Sequence, residues 1–243
     1  GAVEALLCCA DHWRVEVPRA AAAALAALTE EPSAATHLPT VALPPSQLPG
    51  ISTADIPGAA LSEGGVGGVA ILHWLLSNKD GATRLASQRV YANLCSHKPN
   101  SLLLLRAGTL EQMTQLLVKD VAAESQQAAV RAIGHLCAHA PVTPELLTKL
   151  NLLPLLLACA KGKRRLGRAA ALELKTLALG ALAQLAGRSV LHDYLVAGNL
   201  PRQLLDIAQS TPHAQAQRSL LLAVLRLFRQ PHSASRVQLL NTP

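Results

Sequence analysis

The chain has 243 residues, half of them hydrophobic but only 2% aromatic, and a formal net charge of +7. A core of Leu, Ala and Val with so few rings argues against a sheet-rich fold, because Ala and Leu are the strongest helix formers and β-branched and aromatic residues the strand formers. No run of eighteen or more residues is apolar, uncharged and helix-compatible, the nearest being Ala20 to Leu28, too short to span a bilayer, and five cysteines, two of them adjacent at Cys8 and Cys9, do not make the even framework of a disulfide-stapled secreted domain.

These limits point to an all-α protein without a transmembrane segment, in an intracellular reducing compartment: the cytosol or an organelle interior, the mitochondrion included. The first residue is Gly1 and no cationic, Ser-rich presequence follows it, so targeting information is expected to be absent or already removed. The positive balance suits an anionic partner but names none.

In chain order, the first elements are the helix “GAVEALL”, with Val3 as its apolar start, and a longer helix that ends “AAAALAALTEEP” at Pro32. The pattern then lapses. Prolines at 39, 44, 45, 49 and 57 precede an exit through Gly64, Gly65, Gly67 and Gly68. Proline removes a backbone donor and favours extended geometry, which predicts a long loop inserted between repeats. Its apolar residues, among them Leu38, Val41, Leu43 and Leu48, call for either an extended arm lying on this protein or a neighbour, or a flexible connector.

From Gly68 onward the chain repeats. “LCSHKP” at 94–99 and “LCAHAP” at 136–141 match as LC-x-H-x-P, 42 residues apart, and the flanking segments match as well. A small or polar residue ahead of an apolar helix start recurs at Gly68-Val69, Gly108-Thr109-Leu110, Asn151-Leu152 and Gly198-Asn199-Leu200. Taking Val69, Leu110, Leu153 and Leu200 as equivalent, the spacings are 41, 43 and 47. A period near 42 residues is that of helical arrays. Each unit divides into a short helix, a second helix and a longer third one; in the unit 99–141 these are about Ser101 to Ala107, Leu110 to Lys119 and Ala123 to His139. Gly108 supplies the permissive backbone for the sharp turn, and Pro141 and Pro144 stop one unit and start the next.

The stretches “LRAGTLEQMTQLL” and “LVAGNLPRQLLDIA”, with the third-helix endings “VYANLC” and “AIGHLC”, resemble the armadillo (ARM/HEAT-like) helical repeat family. The resemblance implies a right-handed α-solenoid, a superhelix of three-helix repeats, interrupted by the Pro-rich insertion. The divisions are a partial repeat at 1–32, the extended insertion at 33–66, and repeats at 67–98, 99–141, 142–187 and 188–231. Residues 232–243 read as the start of an incomplete repeat or a tail. The chain opens on a second helix and closes on “SASRVQLLN”. Stacked repeats need polar caps, so the chain is expected to be cut from a longer array or to rest its ends on other proteins.

Family members that bind extended peptides carry a ladder of Asn on the third helices with Trp one turn earlier. Here Asn93 matches the Asn with Arg89 four residues before it; the next units have His135 with Arg131, then Gln184 with Gly180, then Arg226 with Leu222. The Trp set is missing and the Asn set has one member. The candidate concave-face residues are therefore Arg89, Asn93, Arg131, His135, Gln184 and Arg226.

“KGKRRLGR” in the fourth unit gathers Lys161, Lys163, Arg164, Arg165 and Arg168 between the second and third helices. It is read as a solvated turn, as a contact for an acidic protein surface, or as a grip on phosphates of nucleic acid or anionic lipid; no neighbouring aromatics mark single-strand recognition. “HLCAH” places His135 and His139 on one helical face, but Cys95 and His97 lie one repeat away, about 10 Å by helix packing, so the motif reads as structure and no metal is expected. His192 and Asp193, beside Ser189, point roughly 100° apart on a helix and make no relay. No phosphate loop, GxSxG or HExxH occurs.

No enzyme activity and no cofactor are expected. The reading is a non-catalytic protein–protein interaction scaffold, an accessory or structural subunit of a larger assembly, in the cytosol or in an organelle, with other protein subunits as partners. The alternative is a stand-alone adaptor for an extended peptide on the concave face. An RNA-associated repeat protein is the least favoured.

Overall fold

The computed structural model of the chain describes residues 1–48, 66–119, 122–162 and 166–229. It falls into two compact units, Gly1–Gln115 and Leu116–Pro243.

The first unit holds α1 (Ala2–Cys8), α2 (Glu16–Leu28), α3 (Pro32–His37), α4 (Gly68–Leu76), α5 (Gly81–Ser96), α6 (Ser101–Arg106) and most of α7 (Thr109–Lys119). Two-residue strands β1 (Ala42–Leu43) and β2 (Val66–Gly67) pair antiparallel. Its core is the packing of α2 and α4 against α5, with Leu25, Ile71, Leu75, Val90, Tyr91 and Leu94 shut away from solvent. The Tyr91 hydroxyl, buried with its ring, donates to the Val69 carbonyl at 3.0 Å, which joins α5 to α4. Asp80 caps α5 by accepting from the Thr83 amide, and it also takes a fork of two hydrogen bonds from Arg19 on α2. Those bonds, Arg19 first and Thr83 next, hold the Asp80 carboxyl well below its usual range.

Helix α3 departs from the expected loop. Pro32 occupies the first helical turn, where a missing N–H costs nothing, and α3 stops at His37, ahead of a single tighter turn, Leu38–Thr40, that holds Pro39. By position α3 is the short first helix of a repeat whose second and third helices are α4 and α5. The insertion therefore enters inside a repeat, between its first and second helices, and not between repeats. Its described end is folded: Leu38, Val41, Leu43 and Leu48 are all buried. Ala42 pairs with Gly67 and Leu43 with Val66, and the Gly68 amide donates to the Val41 carbonyl at 2.8 Å. Ile51 and Ile56 lie outside the described residues.

The second unit holds the end of α7 and α8 (Ala123–His139), α9 (Pro144–Lys149), α10 (Leu152–Ala160), α11 (Arg168–Ala186), α12 (His192–Ala197), α13 (Leu200–Gln209) and α14 (Ala214–Phe228). Helix α11 is its centre, packed against α8, α10 and α14. At 19 residues it is long and apolar enough to cross a bilayer, which the sequence reading did not anticipate. Leu174, Ala178, Leu179, Leu182 and Leu185 are nevertheless buried against its neighbours, so its apolarity serves a helical core.

The turns between first and second helices follow one design. Gly108, Asn151 and Asn199 have φ of 76°, 50° and 56°, the left-handed conformation open to Gly and tolerated by Asn. Where the insertion enters, this single turn residue is replaced by the β1–β2 ladder.

Gly180 serves neither a turn nor a close approach. It lies within α11, and a Cβ built on it meets nothing within 4 Å. Gly180→Ala is expected to stabilise the chain by about 0.8 kcal/mol, the helix-interior difference between the two residues; a urea midpoint that moves up with an unchanged slope checks this.

Candidate functional site

Third helices end in carbonyls that lack an intrahelical donor. Here those carbonyls are capped from the neighbouring repeat. In α8 the Cys137 carbonyl has no partner four residues on, because that residue is Pro141, and the Val142 amide turns to Ala140 and leaves Ala138 open as well. Arg188 fills both places, Nε donating to Cys137 at 2.8 Å and Nη2 to Ala138 at 3.1 Å. In α11 the Gly187 amide turns to Gln184, and Arg226 on α14 donates through Nη1 to the freed Ala183 carbonyl at 2.7 Å and to Gln184 Oε1 at 2.9 Å. In the first unit Asn93 does the same for α2, donating from Nδ2 to the Ala26 carbonyl at 3.0 Å and to Thr29 Oγ1 at 3.2 Å.

Two of the ladder positions read from the sequence, Asn93 and Arg226, thus direct their donors at the preceding third helix. Asn93 and Arg226, equivalent by repeat alignment, cap equivalent carbonyls. Gln184 and Arg226 are brought together directly. Arg131 on α8 meets Glu173 on α11 at 3.4 Å, with both side chains half exposed, a geometry that adds little stability. Arg89 is exposed on α5, and His135 is half buried on α8. Other polar groups follow the same register: Gln127 Nε2 donates to the Ala170 carbonyl, 43 residues on.

The basic turn is only partly described: Lys163, Arg164 and Arg165 lie outside the described residues. Lys161 donates to Gln203 Oε1 on α13 at 2.7 Å, and Arg168 is the exposed first residue of α11. Cys95 and Cys137 are fully buried, and burial pushes the Cys137 thiol up to about 12 and raises Cys95 likewise. Neither supplies a thiolate at neutral pH, and among the described residues no three His, Cys, Asp or Glu side chains gather as a metal site would need. His192 is buried, its Nε2 within 2.8 Å of the Ala186 carbonyl, so it closes the end of α11.

The capping arrangement leaves a cavity of about 290 Å³ lined by Ala138, Gln184, Gly187, Arg188, Arg226 and Arg229. Arg226 reaches it by passing over Gly187, where an added Cβ would stand 3.3 Å from Arg226 Cδ. The φ of Gly187, −76°, needs no glycine; the passage of the arginine does. Sequence reasoning missed Arg188, Gly187 and Arg229. A signal existed: in the repeat alignment Arg188 stands where the other repeats have His97 and His139.

No protein-family model matches the chain, and no curated protein does. Solved structures do. An engineered protein from a structural genomics consortium superposes over 94% of this chain and 48% of its own, at TM-score 0.69 and 20% identity. The chain thus spans about half the length of that structure. A designed armadillo repeat protein in complex with the peptide (KR)4 gives 0.63 and 19% over 93% of this chain and 80% of its own. A structure concerning a phosphorylation switch in the interaction of cadherin with beta-catenin gives 0.64 and 16% over 93% and 38%. With its three-helix units and left-handed turn residues, the chain is an all-α solenoid of the armadillo-repeat fold.

Proposed function

We propose that the chain is a non-catalytic protein-interaction scaffold that receives a partner protein on the third-helix side of its second unit. The observation that carries this reading is the cavity where Arg188, Arg226 and Arg229 converge with no carboxylate among its lining residues. Arginine clusters at the core of a contact are strong anchors for protein partners. Structures of similar fold include one in complex with a peptide and one concerned with a protein–protein interaction. Five free cysteines fit the reducing compartment proposed for it, cytosolic or organellar.

A photo-crosslinking residue placed at Gln184, on the third-helix side, is expected to capture one partner reproducibly from a native lysate, and one at Asp206, exposed on α13, is not. Capture from 206 alone, or from neither position, would overturn the reading.

A finer role as a stable subunit of a larger assembly is supported by the row Leu221, Leu222 and Leu225 on α14, exposed by 59%, 40% and 60%. Migration of the native protein in a stoichiometric particle far above 25.5 kDa supports that role, and monomeric migration assigns the adaptor role instead.

A further inference from the structure

The cavity between the ends of α8, α11 and α14 is built for more than polar contact. Arg188 and Arg226 are fixed by backbone carbonyls, so their guanidinium planes are held before any ligand arrives. Each guanidinium carries five N–H donors. Arg188 commits groups on Nε and Nη2, and Arg226 commits Nη1, which leaves donors on both for an incoming acceptor. Arg229 is the third cation, exposed, with no ion pair among the described residues. Gln184 is the remaining polar side chain in the lining, and its oxygen is already turned to Arg226. Three like charges face one cavity with no carboxylate among its lining residues, and its volume of about 290 Å³ admits a side chain.

We infer that this cavity receives an anionic side chain of a partner peptide, a phosphate or a carboxylate, with the phosphoserine form binding tightest. The inference rests on the reading that a partner lies on the third-helix side. A phosphate carries close to two negative charges and three acceptor oxygens, which match three guanidinium groups where a carboxylate offers one charge and two oxygens. The two held arginines require no ordering on binding, and the third closes from the exposed side.

The test uses the full 243-residue chain and three fluorescent pools of degenerate peptides whose fixed central residue is phosphoserine, glutamate or serine. At low ionic strength the phosphoserine pool is expected to bind at least about tenfold tighter than the serine pool, with binding that weakens as salt rises. Arg229→Glu, a change at an exposed residue outside the capping bonds, is expected to leave thermal unfolding in place and to remove about tenfold or more of that affinity. A glutamate pool that binds as tightly as the phosphoserine pool overturns the preference for phosphate and assigns the site to a carboxylate. Equal binding of all three pools, or phosphoserine binding unchanged in Arg229→Glu, overturns the inference. A partner captured from Gln184 as strongly by Arg229→Glu as by the native chain leaves the scaffold standing and removes only the anion site.

Discussion

Asn100→Asp is expected to destabilise the first unit by at least about 3 kcal/mol, although the two side chains have the same shape. Asn100 is buried, 5% exposed, just before α6. Its Nδ2 donates to the Ala35 carbonyl at 2.9 Å and to the Leu94 carbonyl at 3.1 Å. Both acceptors lie at helix C-terminal ends. Ala35 on α3 lacks its ordinary partner because the residue four on is Pro39, and Leu94 on α5 otherwise takes only the His97 amide, at 3.2 Å. One amide group thus joins the ends of the first and third helices of the same repeat. The substitution removes both donors and sets a carboxylate against two carbonyls and two helix dipoles of the same sign. The introduced carboxyl would have a folded-state pKa raised above its unfolded value, so the loss is present at neutral pH and is relieved as pH falls below that raised value. Asn100→Ala leaves two bare acceptors without the charge and should cost less, about 2 kcal/mol, without that pH dependence. Both tryptophans, Trp13 and Trp74, lie in the first unit, so their fluorescence during denaturant unfolding follows the affected half. Equal stability of Asn100→Asp and the native chain at neutral pH would show that the bridge contributes nothing.

The parts of this architecture written in local spacing were legible. The LC-x-H-x-P recurrence, the turn residues Gly108, Asn151 and Asn199, and the apolar starts of the second helices depend on residues a few positions apart, and they fold as the pattern demands. Helix α3 escaped because its six residues sit in a proline-rich context, and proline at the first turn starts a helix as readily as proline elsewhere ends one. The site was harder to see for a different reason. Whether Arg188 or Arg226 is available to a partner depends on which carbonyl at the end of a third helix lacks a donor, and the arginine that fills it is 43 to 51 residues away. Periodicity did place Gln184 and Arg226 one repeat apart, and they touch. It could not show that Asn93, chosen as a peptide-binding residue, already gives its amide to α2.

Gly68→Ala is the second substitution expected to act strongly, at about 2 kcal/mol, and its neighbour supplies the control. Gly68 opens α4, where φ is unremarkable, so backbone freedom does not explain the glycine. Space does. A Cβ on Gly68 would stand 2.4 Å from the Leu38 carbonyl oxygen and 3.4 Å from Leu38 Cδ2. The first of these is main chain, which cannot swing aside as a side-chain tip can. Leu38 is itself buried, and the Val41 carbonyl three residues on accepts from the Gly68 amide at 2.8 Å, so relief by moving the segment would draw β1 away from β2. The methyl group therefore sets the root of the insertion against the start of the helix that follows it. Gly67, one residue earlier, has open space where its Cβ would be and an extended backbone that alanine adopts freely. Gly67→Ala should then cost no more than about 0.5 to 1 kcal/mol as an N-cap change, partly offset by the stiffer unfolded chain. Hydrogen exchange gives the sharper reading of the pair. The Gly68-position amide should exchange markedly faster in Gly68→Ala, through loss of its bond to Val41, and at close to the native rate in Gly67→Ala. Parallel behaviour of the two variants would mean that the ladder yields without cost and that the insertion is not anchored at Leu38.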